Sequence, residues 1–161
     1  MNTPTTDKRR TLLFLVRDGQ ILLAMKKRGF GTGRWNGVGG KLDPGETVEQ
    51  ALIRECQEEI GVTPTRWHHV AEHDFEEFHD GAKAHMYVYA YLCDEWEGEP
   101  AESEEMAPKW FDVADIPYDD MWPDDRFWLP ELLAGNRVKC VFKLDEHDTI
   151  VEHQVVRVDA L

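Results

Sequence analysis

The chain has 161 residues, of which 42% are hydrophobic and six are tryptophan, so it can bury one sizeable core. Its formal net charge of −14 argues against a protein that binds nucleic-acid polymers in general. No apolar run is long enough to span a membrane, and the N-terminus lacks the apolar core of a signal peptide. Cys56, Cys93 and Cys140 have no metal-binding or disulfide spacing. We therefore predict one cytoplasmic domain over residues 1–161, with residues 1–10 flexible.

The charge is unevenly distributed along the chain. Residues 1–41 contain nine Lys or Arg against two Asp, whereas residues 94–125 contain thirteen Asp or Glu against one Lys. A basic segment can bind phosphates, and an acidic segment can bind a metal ion or donor-rich groups. Either segment can also serve solubility alone.

The first two elements are predicted to be central strands. Apolar residues 11–16 and 21–26 flank Asp18-Gly19, and Asp-Gly between such runs is a strong hairpin signal. A basic, glycine-rich loop follows over residues 26–37. Residues 38–41 are predicted to form a short strand.

The next element is a predicted helix from Thr47 to Ile60. Pro44-Gly45 favours a turn before it, and Gly61 suits the position just after its last residue. The spacing predicts a core-facing stripe made of Leu52, Ile53, Cys56 and Ile60.

The same helix carries an acidic face. Glu55, Glu58 and Glu59 have i, i+3, i+4 spacing, so their carboxylates should repel one another unless a cation lies among them. Hard divalent cations with oxygen ligands suit such a cluster, and Mg²⁺ is favoured where a substrate phosphate shares the coordination. Arg54 precedes Glu58 by four residues and can brace it. A solvated acidic face is the simpler alternative.

The second half of the chain is rich in predicted strands. Residues 67–78 and 84–92 should form a hairpin around residues 79–81, followed by an acidic loop over 94–105 and a short strand at 109–111. Residues 112–120 should be irregular. Asp124 or Asp125 should cap a helix that runs to Leu133 and ends before Gly135. Residues 138–144 and 149–158 close the chain as a hairpin, so we predict an α+β fold with a mixed sheet between helices.

Residues 40–62 contain a complete short motif. Gly40 is followed after five residues by Glu46 and after seven more by Arg54-Glu55, then by Glu58-Glu59 and Gly61. This pattern resembles the signature of the Nudix hydrolases. Residues 25–41, 102–111, 115–125 and 142–153 resemble the oxidised-purine nucleoside triphosphatases of that family.

The resemblance implies a Nudix α/β/α sandwich that acts as a monomer. It also implies Mg²⁺-dependent hydrolysis of 8-oxo-dGTP and related damaged purine nucleoside triphosphates, including 2-hydroxy-dATP, to the monophosphate and pyrophosphate. Such an enzyme sanitises the nucleotide pool. Mn²⁺ is an alternative ion.

Matching positions imply a metal site. Its ligands would be the Gly39 carbonyl and the carboxylates of Glu55, Glu58, Glu59 and Glu105. Glu59 is the first candidate for the general base and Glu105 the second, and the sequence does not separate their roles. Arg54 would brace the catalytic glutamates rather than contact the substrate.

The resemblance also implies a substrate site. Its residues would be Thr11, Lys26, Phe30, Asn36, Val38, Gly39, Gly40, Lys41, Phe75, Trp122, Pro123, Asp124 and Asp125. Trp122 can stack on a flat purine, although it can also be a core residue. If the carboxyls of Asp124 and Asp125 converge, mutual repulsion should raise the pKa of one. A pair that holds one proton can both donate and accept, which would let one pocket read 8-oxoguanine and 2-hydroxyadenine.

Two positions depart from the family pattern. Glu77 stands where a second pocket aromatic is expected, and Ala84 stands where a larger Met is expected. Either the register slips at a bulge, or one wall of the pocket is polar. Two other functions therefore stay open, namely hydrolysis of another nucleoside diphosphate derivative and a non-catalytic, regulatory nucleotide-binding module. An acidic interaction domain without a ligand is a further alternative.

Overall fold

The computed structural model describes residues 8–29, 31–79 and 81–161. The described residues form eight strands and two α-helices. The strands are β1 (Arg9–Arg17), β2 (Gln20–Lys26), β3 (Trp35–Asn36), β4 (Thr63–His79), β5 (Ala82–Glu97), β6 (Met106–Asp112), β7 (Arg137–Leu144) and β8 (Ile150–Val158). The helices are α1 (Val48–Ile60) and α2 (Asp125–Leu133), and two short 3-10 turns lie at Val113–Asp115 and Tyr118–Asp120.

The strands form one mixed sheet in the order β3-β2-β1-β5-β4-β7-β8, with β6 paired to β2. The β1–β5 and β4–β7 pairs are parallel and the others are antiparallel. Asp18 and Gly19 both have positive φ, as a two-residue hairpin turn requires. The predicted first hairpin, with β1 and β2 inside the sheet, is therefore confirmed.

The two helices cover opposite faces of the sheet. Leu52 and Cys56 of α1 pack with Leu13 of β1 in one core. Trp128 of α2 packs with Phe14 in the other core, with ring centroids 5.9 Å apart. The predicted α/β/α sandwich with a central mixed sheet is confirmed.

Helix α1 begins one residue later than predicted because Thr47 caps it. The Thr47 side chain accepts a hydrogen bond from the Gln50 N–H, and the Gln50 side chain accepts one from the Thr47 N–H. Gly61 ends the helix with a left-handed φ of 71°. The predicted core stripe is wrong at Ile53, which is only half-buried, because the buried face is centred on Leu52, Cys56 and residues 59–60.

Several strand boundaries differ from the sequence predictions. Strand β5 extends to Glu97, so the acidic segment begins inside a strand, where Arg66 pairs with Asp94 and Glu95. Residues 38–41 form no continuous strand and instead make isolated bridges from Val38 to Leu13 and from Lys41 to Arg10. The predicted 79–81 turn includes Asp80, which lies outside the described residues.

No helix in the described part of the chain is long and apolar enough to cross a membrane.

The Thr47 cap can be tested by substitution. We expect Thr47→Ala to lower the free energy of unfolding by about 1 kcal/mol, because the Gln50 N–H loses its acceptor. Thr47→Ser keeps the hydroxyl and should unfold at nearly the wild-type urea concentration. Equal losses in the two variants would show that the hydroxyl does not carry the effect.

Candidate functional site: a carboxylate cluster beside an acidic cavity

Residues 37–40 lie directly on β1. The Thr11 N–H donates to the Gly40 carbonyl at 3.0 Å, and the Leu13 N–H donates to the Val38 carbonyl at 2.7 Å. A Cβ on Gly39 would lie 2.0 Å from the Thr11 carbonyl oxygen, and Gly39 has φ of 154°. A Cβ on Gly40 would lie 2.8 Å from Glu55 Oε1. Glycine is therefore needed at position 39, where the contact is with backbone, and at position 40 a side chain would displace the Glu55 carboxylate.

Glu59 is the most buried acidic residue of α1, with 3% of its surface exposed. Its Oε1 accepts a hydrogen bond from the Gly39 N–H at 2.7 Å. Burial raises the pKa of Glu59 to about 8, and the charges of Glu55 and Glu105 add to the rise. Burial also raises the pKa of Glu55, against the opposing effect of Arg54, and the charges of Glu58 and Glu105 add to the rise.

Arg54 holds this cluster from one side. Its Nε and Nη2 donate to the two oxygens of Glu46 at 2.6 and 2.9 Å, and its Nη1 donates to Glu55 at 2.9 Å and to Glu58 at 3.2 Å. The guanidinium beside Glu46 holds the pKa of that carboxyl below its ordinary value. One guanidinium thus links Glu46, Glu55 and Glu58, which is a bracing geometry.

Glu105 reaches the cluster from the loop before β6. The Lys27 N–H donates to the Glu105 carbonyl at 2.8 Å, which fixes the loop against the end of β2. The Glu105 side chain is about half exposed, at 52%, and its charge contributes to the raised pKa values of Glu55 and Glu59. The structure thus brings Glu105 near residues that are far from it in sequence.

These residues fit a hard divalent cation in their chemistry. The donors are oxygens, and their mutual repulsion would be relieved by a positive ion. Within residues 8–29, 31–79 and 81–161, no three acidic, histidine or cysteine side chains already enclose a common metal position. Mg²⁺ usually keeps several waters and shares its coordination with a substrate phosphate, so it needs only one or two carboxylates at a time.

On the α2 side of the glycine loop lies an open cavity. It brings together nine residues of the predicted substrate set, namely Thr11, Lys26, Asn36, Gly39, Gly40, Phe75, Trp122, Asp124 and Asp125. Three predicted residues do not line it. Val38 points into the α1 core, Lys41 is exposed, and Pro123 is half-buried beside the cavity. Phe30 lies outside the described residues.

Asp124 and Asp125 are buried at the start of α2. The Asp124 side chain caps no helix N–H and instead accepts a hydrogen bond from Trp128 Nε1 at 2.9 Å. The capping alternative is therefore wrong for Asp124. Burial raises the pKa of Asp124 to about 6, and burial together with the Asp124 charge raises the pKa of Asp125 well above its usual range. The two carboxyls therefore form a pair that favours retaining a proton.

Trp122 and Asn36 are each oriented by a neighbouring group. The Arg34 guanidinium lies over the Trp122 ring, 4.1 Å from its centroid, and is itself paired with Asp148 at 3.0 Å. Asn36 Oδ1 accepts a hydrogen bond from the Gly37 N–H at 2.8 Å. This bond uses the carbonyl end of the Asn36 amide, so its NH₂ group is the end available to read an acceptor.

The cavity also contains residues that sequence reasoning missed. They include Arg10, Arg34, His73, Met86 and Met106. His73 and Glu77 are each two residues from Phe75 on β4, so all three side chains face the same side of the sheet, and this spacing indicates that they share the cavity. Glu77 pairs in register with Ala84 and no shift occurs between residues 71 and 79, so the structure gives a polar wall rather than a bulge.

Buried polar atoms without partners concentrate in this cavity. Within the part of the chain that the structure describes, eight buried side-chain polar atoms have no hydrogen-bond partner. Six of them belong to residues that line the cavity, namely Arg10, Thr11, Arg34, His73, Asp124 and Asp125. Such atoms are uncommon in folded proteins, so their grouping around one space points to a polar ligand.

The fold and the site define an α/β/α protein in which a carboxylate-bearing helix and an acidic cavity share one glycine loop. Residues 7–132 match the NUDIX domain family. The chain belongs to the Nudix family.

Two relatives and one solved structure show how far the similarity extends. The chain is 47% identical to the oxidized purine nucleoside triphosphate hydrolase of Danio rerio, over 97% of this chain and 99% of that protein. It is 42% identical to the protein of the same name from Mus musculus, with the same coverage. The MutT protein structure from Bacillus halodurans superposes with a TM-score of 0.80 at 23% identity, covering 91% of this chain and 96% of that one, which supports the fold alone.

The buried Asp124 carboxyl should make stability depend on pH. The pKa of Asp124 is about 6 in the folded protein, above the ordinary value of 3.8. The contribution of the protonated carboxyl to the free energy of unfolding is therefore complete below pH 3.8 and is lost as the pH rises through about 6. Asp124→Asn cannot ionise and keeps an oxygen for Trp128. We expect its free energy of unfolding, relative to wild type, to rise between about pH 4 and pH 7 in urea titrations. The exposed Asp120→Asn is the control, and a pH-independent difference for Asp124→Asn would contradict the assignment.

Proposed function

We propose that this protein hydrolyses oxidised purine nucleoside triphosphates, with 8-oxo-dGTP as the reference substrate, to the monophosphate and pyrophosphate. The observation that carries the proposal is the buried Asp124–Asp125 pair in a cavity that meets the Glu55–Glu59 cluster across Gly39 and Gly40. The names of the two long relatives support the substrate class. We further propose that the protein acts as a cytoplasmic monomer.

The cavity suits a purine base. A guanine-type edge offers N1–H and N2–H donors, and a carboxyl pair that shares one proton can accept and donate. The NH₂ group of Asn36 can donate to a purine oxygen. Stacking of a base on an aromatic ring contributes roughly 1–3 kcal/mol, and Trp122 lies at the cavity with Arg34 over its ring.

The positive charge of the cavity suits a phosphate chain. Lys26 lines the cavity and is close enough to Glu59 for its charge to lower the pKa of that carboxyl. Arg10 lines the same space. A triphosphate attached to a base near Asp124 would therefore meet positive charge before it reaches the carboxylates of α1.

Hydrolysis would take place at the carboxylate cluster. The Gly39 carbonyl with Glu55, Glu58, Glu59 and Glu105 would hold Mg²⁺, or Mn²⁺ as the alternative, and the ion would neutralise phosphate charge and polarise phosphorus. Glu59 is the first candidate base. Its Oε1 is bonded to the Gly39 N–H, so we assign acceptance of the water proton to Oε2. Glu105 is the second candidate, and Arg54 keeps Glu55 and Glu58 in place.

The proposal is tested by pyrophosphate release from 8-oxo-dGTP, 2-hydroxy-dATP, dGTP, ADP-ribose and a diadenosine polyphosphate with Mg²⁺. We expect a clear preference for the oxidised triphosphates and a loss of at least roughly 100-fold in Glu59→Gln. Glu49→Gln, on the exposed side of α1, is the matched control and should stay near wild type. If the protein prefers ADP-ribose or the dinucleotide, it is a hydrolase of another nucleoside diphosphate derivative. If it binds nucleotides but hydrolyses none, it is a regulatory nucleotide-binding module.

The carboxyl pair predicts a second result. Asp124→Asn and Asp125→Asn each fix one member of the pair in a neutral state, so each should change the ratio of kcat/KM for 8-oxo-dGTP to that for 2-hydroxy-dATP. The ratio should move because the two bases present donors and acceptors in different order. Equal losses on both substrates in both variants would contradict proton sharing in base recognition.

A further inference from the structure

Strand β4 presents an unusual face to the α2 side of the sheet. Its alternate residues Ala71, His73, Phe75 and Glu77 are all buried, with Glu77 only 4% exposed. Apolar residues are expected at such positions, because burying a polar group is costly unless it is hydrogen-bonded. Two of these four residues are nevertheless polar.

Both polar residues border the candidate base cavity. His73 lies against Trp128, with ring centroids 4.3 Å apart, and its Nε2 has no hydrogen-bond partner. Burial lowers the pKa of His73 to about 3, so it is neutral and does not compensate the Glu77 charge. Glu77 pairs in register with Ala84, whose small side chain leaves room beside it.

Glu77 and Asp124 belong to the same acidic wall. The Glu77 charge contributes to the raised pKa of Asp124, after burial, so the two carboxyls are near each other although they come from β4 and α2. Glu77 also has an interaction within the protein. A carboxylate has two oxygens and about four acceptor sites, so it can keep that interaction and accept from a ligand as well.

The chemistry of an oxidised purine gives this third carboxyl a use. Oxidation at C8 converts N7 from a hydrogen-bond acceptor into an N–H donor, while the Watson–Crick edge of guanine keeps its donors. N7 lies on the edge next to C6, adjacent to the edge that Asp124 and Asp125 would read. A carboxylate beside Asp124 can therefore reach N7, and it would face a repulsive lone pair in an unoxidised purine.

We propose that Glu77 is a specificity residue that accepts a hydrogen bond from the N7–H of 8-oxopurine nucleotides and thereby rejects their unoxidised parents. The inference rests on the proposed function of the cavity. A site built to accept a donor discriminates strongly against an analogue without it, because a buried polar group is then left unpaired. An apolar wall at this position would not distinguish the two forms of N7.

The test compares kcat/KM ratios in Glu77→Leu and Glu77→Gln. Leu removes the acceptor, and Gln offers an NH₂ that can pair with the N7 lone pair, so both variants should accept unoxidised purines better. We expect the 8-oxo-dGTP to dGTP and 8-oxo-dATP to dATP ratios to fall by at least roughly tenfold. The 2-hydroxy-dATP to dATP ratio should stay near wild type, because both of these bases carry an N7 lone pair.

Glu76→Gln is the matched control, since Glu76 is the neighbouring residue on the opposite face of β4 and pairs with Lys83 at 3.6 Å. Gln is nearly isosteric with Glu, so the test remains decisive if Glu77→Leu does not fold. The inference would be overturned if Glu77→Gln left the kcat/KM ratios of 8-oxo-dGTP to dGTP and of 8-oxo-dATP to dATP unchanged. An equal fall in these two ratios and in the 2-hydroxy-dATP to dATP ratio would also overturn it. A wild-type protein without preference for any oxidised triphosphate would instead overturn the proposed function.

Discussion

The close approach of residues 37–40 to β1 is the constraint on which the rest of the site depends. A side chain at Gly39 would collide with the Thr11 carbonyl, and one at Gly40 would collide with the Glu55 carboxylate. With neither present, the loop bonds to β1 on one edge, and the Gly39 N–H bonds to Glu59 on the other. One stretch of backbone therefore forms the border between the cavity and the carboxylate cluster. A substrate that spans both would cross this border, so the spacing of the two proposed half-sites would be set by backbone and not by mobile side chains.

Local patterns predicted much of the fold because each rests on short-range physics. Asp18-Gly19 specifies a two-residue turn, and the periodicity of residues 47–61 specifies α1 together with its end at Gly61. The acidic face of α1 follows from residue spacing alone. The metal and base residues outside α1 were assigned by family resemblance, and only a folded chain can show that Glu105 or Asp124 approaches the residues with which it was grouped.

The failures come from tertiary contacts that no local pattern contains. Asp124 has the position of a helix cap, but Trp128 offers it a buried donor four residues later, and that bond replaces the cap. Val38 lies between two glycines that border the site, yet its side chain enters the α1 core because alternate residues face opposite ways. For Glu77 the sequence left a bulge and a polar wall open, and the unbroken register of β4 and β5 from residue 71 to 79 decides for the polar wall.

The charge distribution shows how an acidic protein can still receive a polyanion. Part of the basic segment is neutralised by the acidic one, since Lys27 pairs with Glu102, and Arg28 lies 3.5 Å from Glu104. These pairs hold the Glu105 loop in place rather than binding phosphate. Arg10 and Lys26 remain along the cavity, whereas Arg34 lies over Trp122 and pairs with Asp148. Arg10 and Lys26 place positive charge where a phosphate chain would enter, although the chain as a whole has a net charge of −14.

The unpaired polar atoms of the cavity connect stability to function. A buried donor or acceptor that is left unpaired costs about 1–3 kcal/mol, and the groups on Thr11, His73, Asp124 and Asp125 have no partner within the described part of the protein. A base with matching donors and acceptors would remove that cost at the moment of binding, whereas a base with mismatched edges would leave it in place. The discrimination between purines would then arise from penalties already built into the folded chain. This explains why polar residues are tolerated at buried positions of β4 and α2, where core packing alone would favour apolar ones.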